Sequence, residues 1–189
     1  QDIAAEVLDS EDVHAVVITG AGDKAFCAGA DLKERRGVPA AESASYINAI
    51  TGAIGAIGDL RKPTICLMNG SAYGGGLELA LACDFRICVE GAELGLTEVR
   101  LGIMPGAGGT QRLPRVVGTT EASEMLASAR SENAENSATS GLVDKVAASN
   151  RLIEEAVVTL ADVRAAQSRR EQKLAPLSAV EQENTVTSA

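Results

Sequence analysis

Glu78 and Glu98 stand twenty residues apart, each close to a cluster of glycines. Three consecutive glycines, Gly74 to Gly76, precede the first, and Pro105-Gly-Ala-Gly-Gly109 follows the second. Glycine lets a backbone come close to a ligand. A helix that opens on glycines presents free N–H groups and partial positive charge, which suits an oxyanion that develops during a reaction. Two neighbouring carboxylates suit proton transfer, one as acid and one as base. Alone, each glutamate has a plain structural role available: Glu78 complements the positive end of a helix, and Glu98 is a surface acid. The joint pattern favours chemistry.

Composition narrows that chemistry. The chain has 189 residues, enough for one domain with a core, and a net charge of −9. That charge argues against general nucleic-acid binding, which needs a basic face. With a single histidine, His14, and four cysteines outside any C-x-x-C pair, a His-rich zinc site or a Ser–His–Asp triad is disfavoured. No metal site is expected. Cys27, Cys66, Cys83 and Cys88 read as reduced thiols in a cytoplasmic compartment. No signal peptide is expected, and no apolar run is long enough to span a membrane. Aromatics make up only 2%, so the core must come from Ala, Val, Leu and Ile.

The elements that position the glutamates follow from the pattern. A helix over Gln1–Ser10 precedes a buried strand over Val13–Thr19. Gly20 to Ala25 imitates the G-x-G-x-x-A dinucleotide fingerprint, but Phe26 to Ala30 intervenes where the fingerprint needs a helix. Asp31 stands where it could cap a short helix, and Glu42–Leu60 predicts a long one. Thr64–Met68, Phe85–Val89 and Ala92–Leu96 read as strands, with a helix over Leu77–Cys83 between the first two. Glu98 falls in a loop or short helix. Helices are expected after Gly106 and over Thr119–Ala129, with partial helix in Ser131–Ser140 and a short strand over Gly141–Val146. Arg151–Ala166 predicts a helix presenting Leu152, Ile153, Ala156, Val157 and Leu160 on one face, and the last dozen residues read as loosely ordered. No internal repeat is evident, and the alternation of strand and helix indicates α/β architecture.

Three blocks, FCAGADLKE, NGSAYGGGLELALACD and GLTEVRLGIMPGAGGTQRLPR, together resemble the enoyl-CoA hydratase/isomerase (crotonase) family, in its order and at its spacing. GLVDKV resembles a later landmark. The first two blocks look closest to members of the methylglutaconyl-CoA hydratase type. The resemblance implies a spiral of ββα units, a crotonase-like core over residues 1–150 and a C-terminal helical region with a polar tail over 151–189. The family's first strands and last helices are not matched, so both ends look incomplete.

The resemblance further implies that Glu78 and Glu98 hold a water and add it across the C2=C3 bond of a 2-enoyl-CoA. It places the two oxyanion donors on the backbone N–H groups of Ala30 and Gly75. It puts Ala28, Asp31, Leu32, Lys33, Gly74 and Gly106 at the substrate, with Gly106 positioning the water or Glu98. CoA is part of the substrate, and no separate cofactor is implied. A homotrimer or dimer of trimers is implied, in the cytoplasm, without membrane or nucleic-acid partners. The alternatives are an enoyl-CoA isomerase and a non-catalytic subunit or fragment that binds CoA esters. RNA binding, known for a relative, stands against the negative charge.

Overall fold

A computed structural model describes residues 2–39 and 41–161, together with Ser168, Arg169, Glu171 and Lys173. Helix α1 (Asp2–Asp9) leads into strand β1 (Val16–Thr19) and strand β2 (Ala25–Cys27). Helices α2 (Leu32–Gly37) and α3 (Ser43–Gly58) follow. The next unit is β3 (Thr64–Met68), β4 (Ser71–Tyr73) and α4 (Gly75–Ala82). Then come β5 (Phe85–Val89), β6 (Glu93–Gly95), a 3₁₀ turn (Glu98–Leu101), α5 (Gly109–Val117) and α6 (Thr119–Ser128). Strand β7 (Ser131–Asn133), α7 (Ala134–Thr139), β8 (Lys145–Ala147), a 3₁₀ turn (Ser149–Arg151) and α8 (Leu152–Leu160) complete the described elements.

The strands fall into two sheets. One has the order β1-β3-β5-β8, all parallel; the other has the order β2-β4-β6-β7, with β7 antiparallel to β6. Each ββα unit therefore sends its first strand to one sheet and its second to the other. This is the crotonase-like spiral, repeated in structure without a repeat in sequence. The short strands β2, β4 and β7 were not foreseen. At three residues each, they are too brief to print an alternation on the sequence.

Strand β3 is buried at every residue, as a central parallel strand must be. Strand β1 was expected to be buried, but it alternates, with Val17 43% exposed, because it pairs only with β3 and ends the sheet among the described residues. The main core gathers Met68, Leu77, Leu81, Leu94, Leu96, Leu113 and Met125 between the sheets and helices. A second cluster packs Leu152 and Ala156 of α8 on Ile65, Leu67, Phe85 and Ile87. Ile153 and Val157 point outward instead, since a helix lying on one sheet face buries positions four apart and leaves the flanks of a wide stripe in solvent. Residues 162–167 and the last dozen lie outside the described residues.

Two buried polar networks tie the strands of the first sheet to the loops beside them. The Asp84 carboxylate accepts the N–H and hydroxyl of Thr64 at 2.8 and 2.9 Å, and the Asp84 N–H returns a bond to the Thr64 hydroxyl at 2.8 Å. Buried Arg86 donates to the carbonyls of Leu142 and Cys83. Such fully paired groups offset the desolvation that burying them costs.

Candidate active site

The site begins with a backbone constraint. The Gly74 N–H donates to the Gly95 carbonyl at 2.9 Å, which ties the entry of α4 to β6. Two residues on, Gly76 packs so tightly on β2 that a Cβ would run into the Cys27 carbonyl. Only glycine permits that approach. The result is that α4 starts hard against β2, and Glu78, in its first turn, projects into the interior at 3% exposure.

Burying a carboxylate without partners would cost several kcal/mol, on the order of what a lost charge-assisted pair costs. Here one oxygen, Oε1 of Glu78, accepts the backbone N–H of Ala107 at 2.7 Å and that of Gly109 at 2.8 Å. The second donor lies at the N-terminus of α5, where free N–H groups and the positive end of the helix favour an acceptor bearing charge. The glycine cluster at 105–109 thus serves Glu78. Gly106 itself, expected to act on water or Glu98, offers its carbonyl to the Thr51 hydroxyl at 3.1 Å.

Glu98 is held differently. It opens the 3₁₀ turn after β6, and its Oε2 is buried with no hydrogen-bond partner. Burial pushes its carboxyl above the ordinary range; a hydrogen bond from its own backbone N–H opposes this, and the charge of Glu78 adds to it. A Cβ placed on Gly74 would lie 3.2 Å from Glu98 Oε1, so this carboxyl sits over the opening of α4. The chain therefore brings two carboxyls to one place with unlike surroundings.

The two turns expected to hold an oxyanion also meet. Gly29 has φ of +86°, and a Cβ on it would come within 2.9 Å of the Gly75 nitrogen. A Cβ on Gly75 would lie 4.0 Å from the Ala30 nitrogen. These backbones, Glu78 and Glu98 line one cavity of about 320 Å³. Ala28, Leu32, Gly74 and Gly106 also line it.

Asp31 and Lys33 are not part of the lining. Asp31 caps α2, its Oδ1 accepting the N–H of Lys33 at 2.7 Å and of Glu34 at 3.3 Å, and Lys33 is exposed. The cap was legible from the sequence. Tyr46, Ile47, Ile50 and Thr51 of α3, and Leu101, Ile103 and Met104 in and beside the 3₁₀ turn, build most of the remaining wall. No local signal marks these as wall residues, because they reach the cavity only through tertiary packing.

The Gly20–Ala25 segment leads into strand β2 rather than into a helix, so it lacks the helix N-terminus on which a dinucleotide fingerprint depends. Among the described residues, no group of three His, Cys, Asp or Glu side chains is placed to hold a metal ion, and no helix is long and apolar enough to cross a membrane. The Cys88 thiol is pushed up to about 12 by burial, so it is no ready nucleophile.

Comparison with known proteins bears on what this cavity is. Mouse mitochondrial methylglutaconyl-CoA hydratase is 43% identical over 139 residues, covering 74% of this chain and 44% of its own length. Crotonyl-CoA hydratase of Syntrophomonas wolfei is 43% identical over 160 residues, covering 82% of this chain and 60% of its own. The chain spans about half the length of the curated relatives it matches. Among solved structures, an enoyl-CoA hydratase from Bacillus anthracis superposes with a TM-score of 0.86 at 38% identity, over 98% of this chain and 75% of that one. The sequence pattern of the enoyl-CoA hydratase/isomerase family matches residues 3–183, nearly the whole chain. With the spiral fold and two carboxyls in one cavity beneath that match, the chain belongs to the enoyl-CoA hydratase/isomerase family.

Proposed function

We propose that the chain is a 2-enoyl-CoA hydratase that adds water to the C2=C3 bond in a syn sense. The observation that supports it best is the pair of unlike carboxyls in one cavity: Glu78 satisfied by two backbone donors, Glu98 half-buried with an orphan oxygen. Glu78 takes a proton from water as the hydroxide oxygen bonds to C3. The C2=C3 electrons move onto the thioester, whose oxygen becomes the enolate oxyanion. The N–H groups of Ala30 and Gly75 receive that charge. A peptide donor is already fixed, so it needs no reorganisation as charge develops. Glu98, whose carboxyl burial shifts toward the protonated form, delivers a proton to C2. The products are a 3-hydroxyacyl-CoA, a protonated Glu78 and an ionised Glu98, and proton exchange with solvent resets the pair.

The scheme moves a proton and a hydroxide without change of oxidation state, so CoA enters as part of the substrate and no further cofactor is called for. Names of relatives support hydration, since two of them are named as hydratases. An enoyl-CoA isomerase, in which one glutamate shuttles a proton between C2 and C4, is the second reading. It is favoured by the family's own name, which joins the two activities. A non-catalytic subunit or fragment binding CoA esters is the third, consistent with the chain's partial span of its relatives. A homotrimer or dimer of trimers belongs to the proposal as well. The exposed apolar side chains Ile153, Val157 and Val158 on α8 support it, and light scattering would check it. A cytoplasmic setting is proposed on the four free cysteines.

The test is loss of enoyl-thioester absorbance when the chain is added to crotonyl-CoA, with a 3-enoyl-CoA in parallel. Consumption of crotonyl-CoA, lost in Glu98→Gln, is the expected result. Turnover of the 3-enoyl substrate alone would install the isomerase reading. Binding without turnover of either would install the third.

A further inference from the structure

Arg112 lies one turn into α5 and folds back over the loop that precedes it. Its Nη1 donates to the Ala107 carbonyl at 2.7 Å, and its backbone N–H donates to the Gly108 carbonyl at 2.8 Å. Successive peptide units of this loop face opposite ways. The N–H groups of Ala107 and Gly109 point to Glu78, while the carbonyl of the peptide between them points to Arg112. Turning that middle peptide would swing both neighbours away from Glu78. We propose that Arg112 is a positioning residue: its guanidinium locks the Ala107–Gly109 turn so that two backbone donors stay aimed at the Glu78 carboxylate.

Three observations support the lock. Gly108 has φ of +104°, and a Cβ there would collide with Nη1, so the loop is shaped around the guanidinium. A Cβ on Gly58, at the end of α3, would lie 3.2 Å from Nη2, so the same group packs against α3 as well. Arg112 is half-buried and forms no ion pair among the described residues, so a carbonyl rather than a carboxylate receives its strongest bond. The charged and titratable groups around it are Glu78 and Cys83 from α4, Asp59 from the end of α3, and Arg115 on its own helix. Burial lowers its hold on its proton, while Glu78 and Asp59 counter that. A planar fork with several donors is the side chain suited to such a clamp.

The structural claim stands without any reaction; its kinetic consequence rests on the hydratase reading. The deciding measurement is residue-resolved amide hydrogen exchange by NMR on Arg112→Met, which keeps most of the apolar stem. The amides of Ala107 and Gly109 should exchange at least about tenfold faster, with those of Leu67 and Ile87 unchanged. Equal protection at the first two, or an acceleration shared evenly with the sheet, overturns the proposal. Arg112→Lys keeps the charge and serves if the Met variant does not fold. Exchange at the two amides should then rise about threefold, and protection identical to the starting protein overturns the proposal. In turnover of crotonyl-CoA, kcat should fall about thirtyfold in Arg112→Met with KM within about threefold, and Arg112→Lys should recover part of the loss. Absence of turnover in the unmodified chain would count against the hydratase reading alone, since the exchange experiment still decides the role of Arg112.

Discussion

Glu78 stands on a helix whose residues are mostly buried, whereas Glu98 stands on a single 3₁₀ turn with no buried residue. Around Glu78, α4 is pressed on β2, and the α5 loop supplies two hydrogen bonds. Around Glu98, Val99, Leu101 and Met104 are exposed, and one carboxyl oxygen has no partner. The comparison teaches how one cavity can give two side chains of the same type unlike surroundings. Two backbone donors hold one carboxyl, while burial favours the neutral form of the other, whose Oε2 has no partner. It also separates two uses of free energy. The Glu78 side is packed and hydrogen-bonded, and the Glu98 side carries the cost of a buried oxygen without a partner.

The largest effect should come from Glu78→Ala. It removes the proposed base and leaves two buried N–H groups unpaired, so crotonyl-CoA turnover should fall by at least about 10³-fold while the fold loses about 2–3 kcal/mol in urea unfolding. Unchanged stability would break the contrast on the Glu78 side. Glu98→Gln should reduce turnover by about 10²–10⁴-fold with no loss of stability, and its Tm should rise by about 1–2 °C. A clear fall in Tm would mean that Glu98 is held by contacts the structure does not contain.

The backbones should differ in the same way. Gly76→Ala forces a methyl against the Cys27 carbonyl and should cost about 3 kcal/mol. Gly102→Ala, at the end of the 3₁₀ turn, meets open space and should cost only about 1 kcal/mol for its φ of +71°. Equal costs in urea titrations would remove the distinction between a packed and an open support.

The smallest effect is a pH dependence. The folded Glu98 carboxyl is raised above its ordinary value of 4.5, so its protonated form is favoured by the fold. Its contribution is complete below 4.5 and is lost as pH rises through the folded value. The stability advantage of Glu98→Gln should therefore be greatest at neutral pH and should close as pH falls below 4.5. Calorimetry of both proteins from pH 4 to 7 measures this, and an advantage that widens on acidification would reverse the assigned direction.

Both glutamates, both glycine clusters and the α/β alternation could be named before any coordinates, because those residues encode local events. A glycine triplet starts a helix that must approach a neighbour, and a β-branched run makes a strand wherever it falls. The long strands β3 and β5 were legible for that reason, and so was the Asp31 cap. Strands β2, β4 and β7 were not, since pairing with distant partners defines them. Nor could sequence tell that α8 buries Leu152 and Ala156 and exposes Ile153 and Val157, because that depends on the sheet it lies upon.

The chemistry divides along the same line. Sequence by itself determined which residues could do acid–base work and which backbones could come close to a ligand. Tertiary structure decided which carboxyl received two donors from a distant loop and which kept one oxygen without a partner, because Ala107 and Gly109 lie about thirty residues from Glu78 and meet it only when α5 docks on α4. A residue type sets what a group is able to do; the direction in which its proton moves is set by neighbours that only the folded chain supplies.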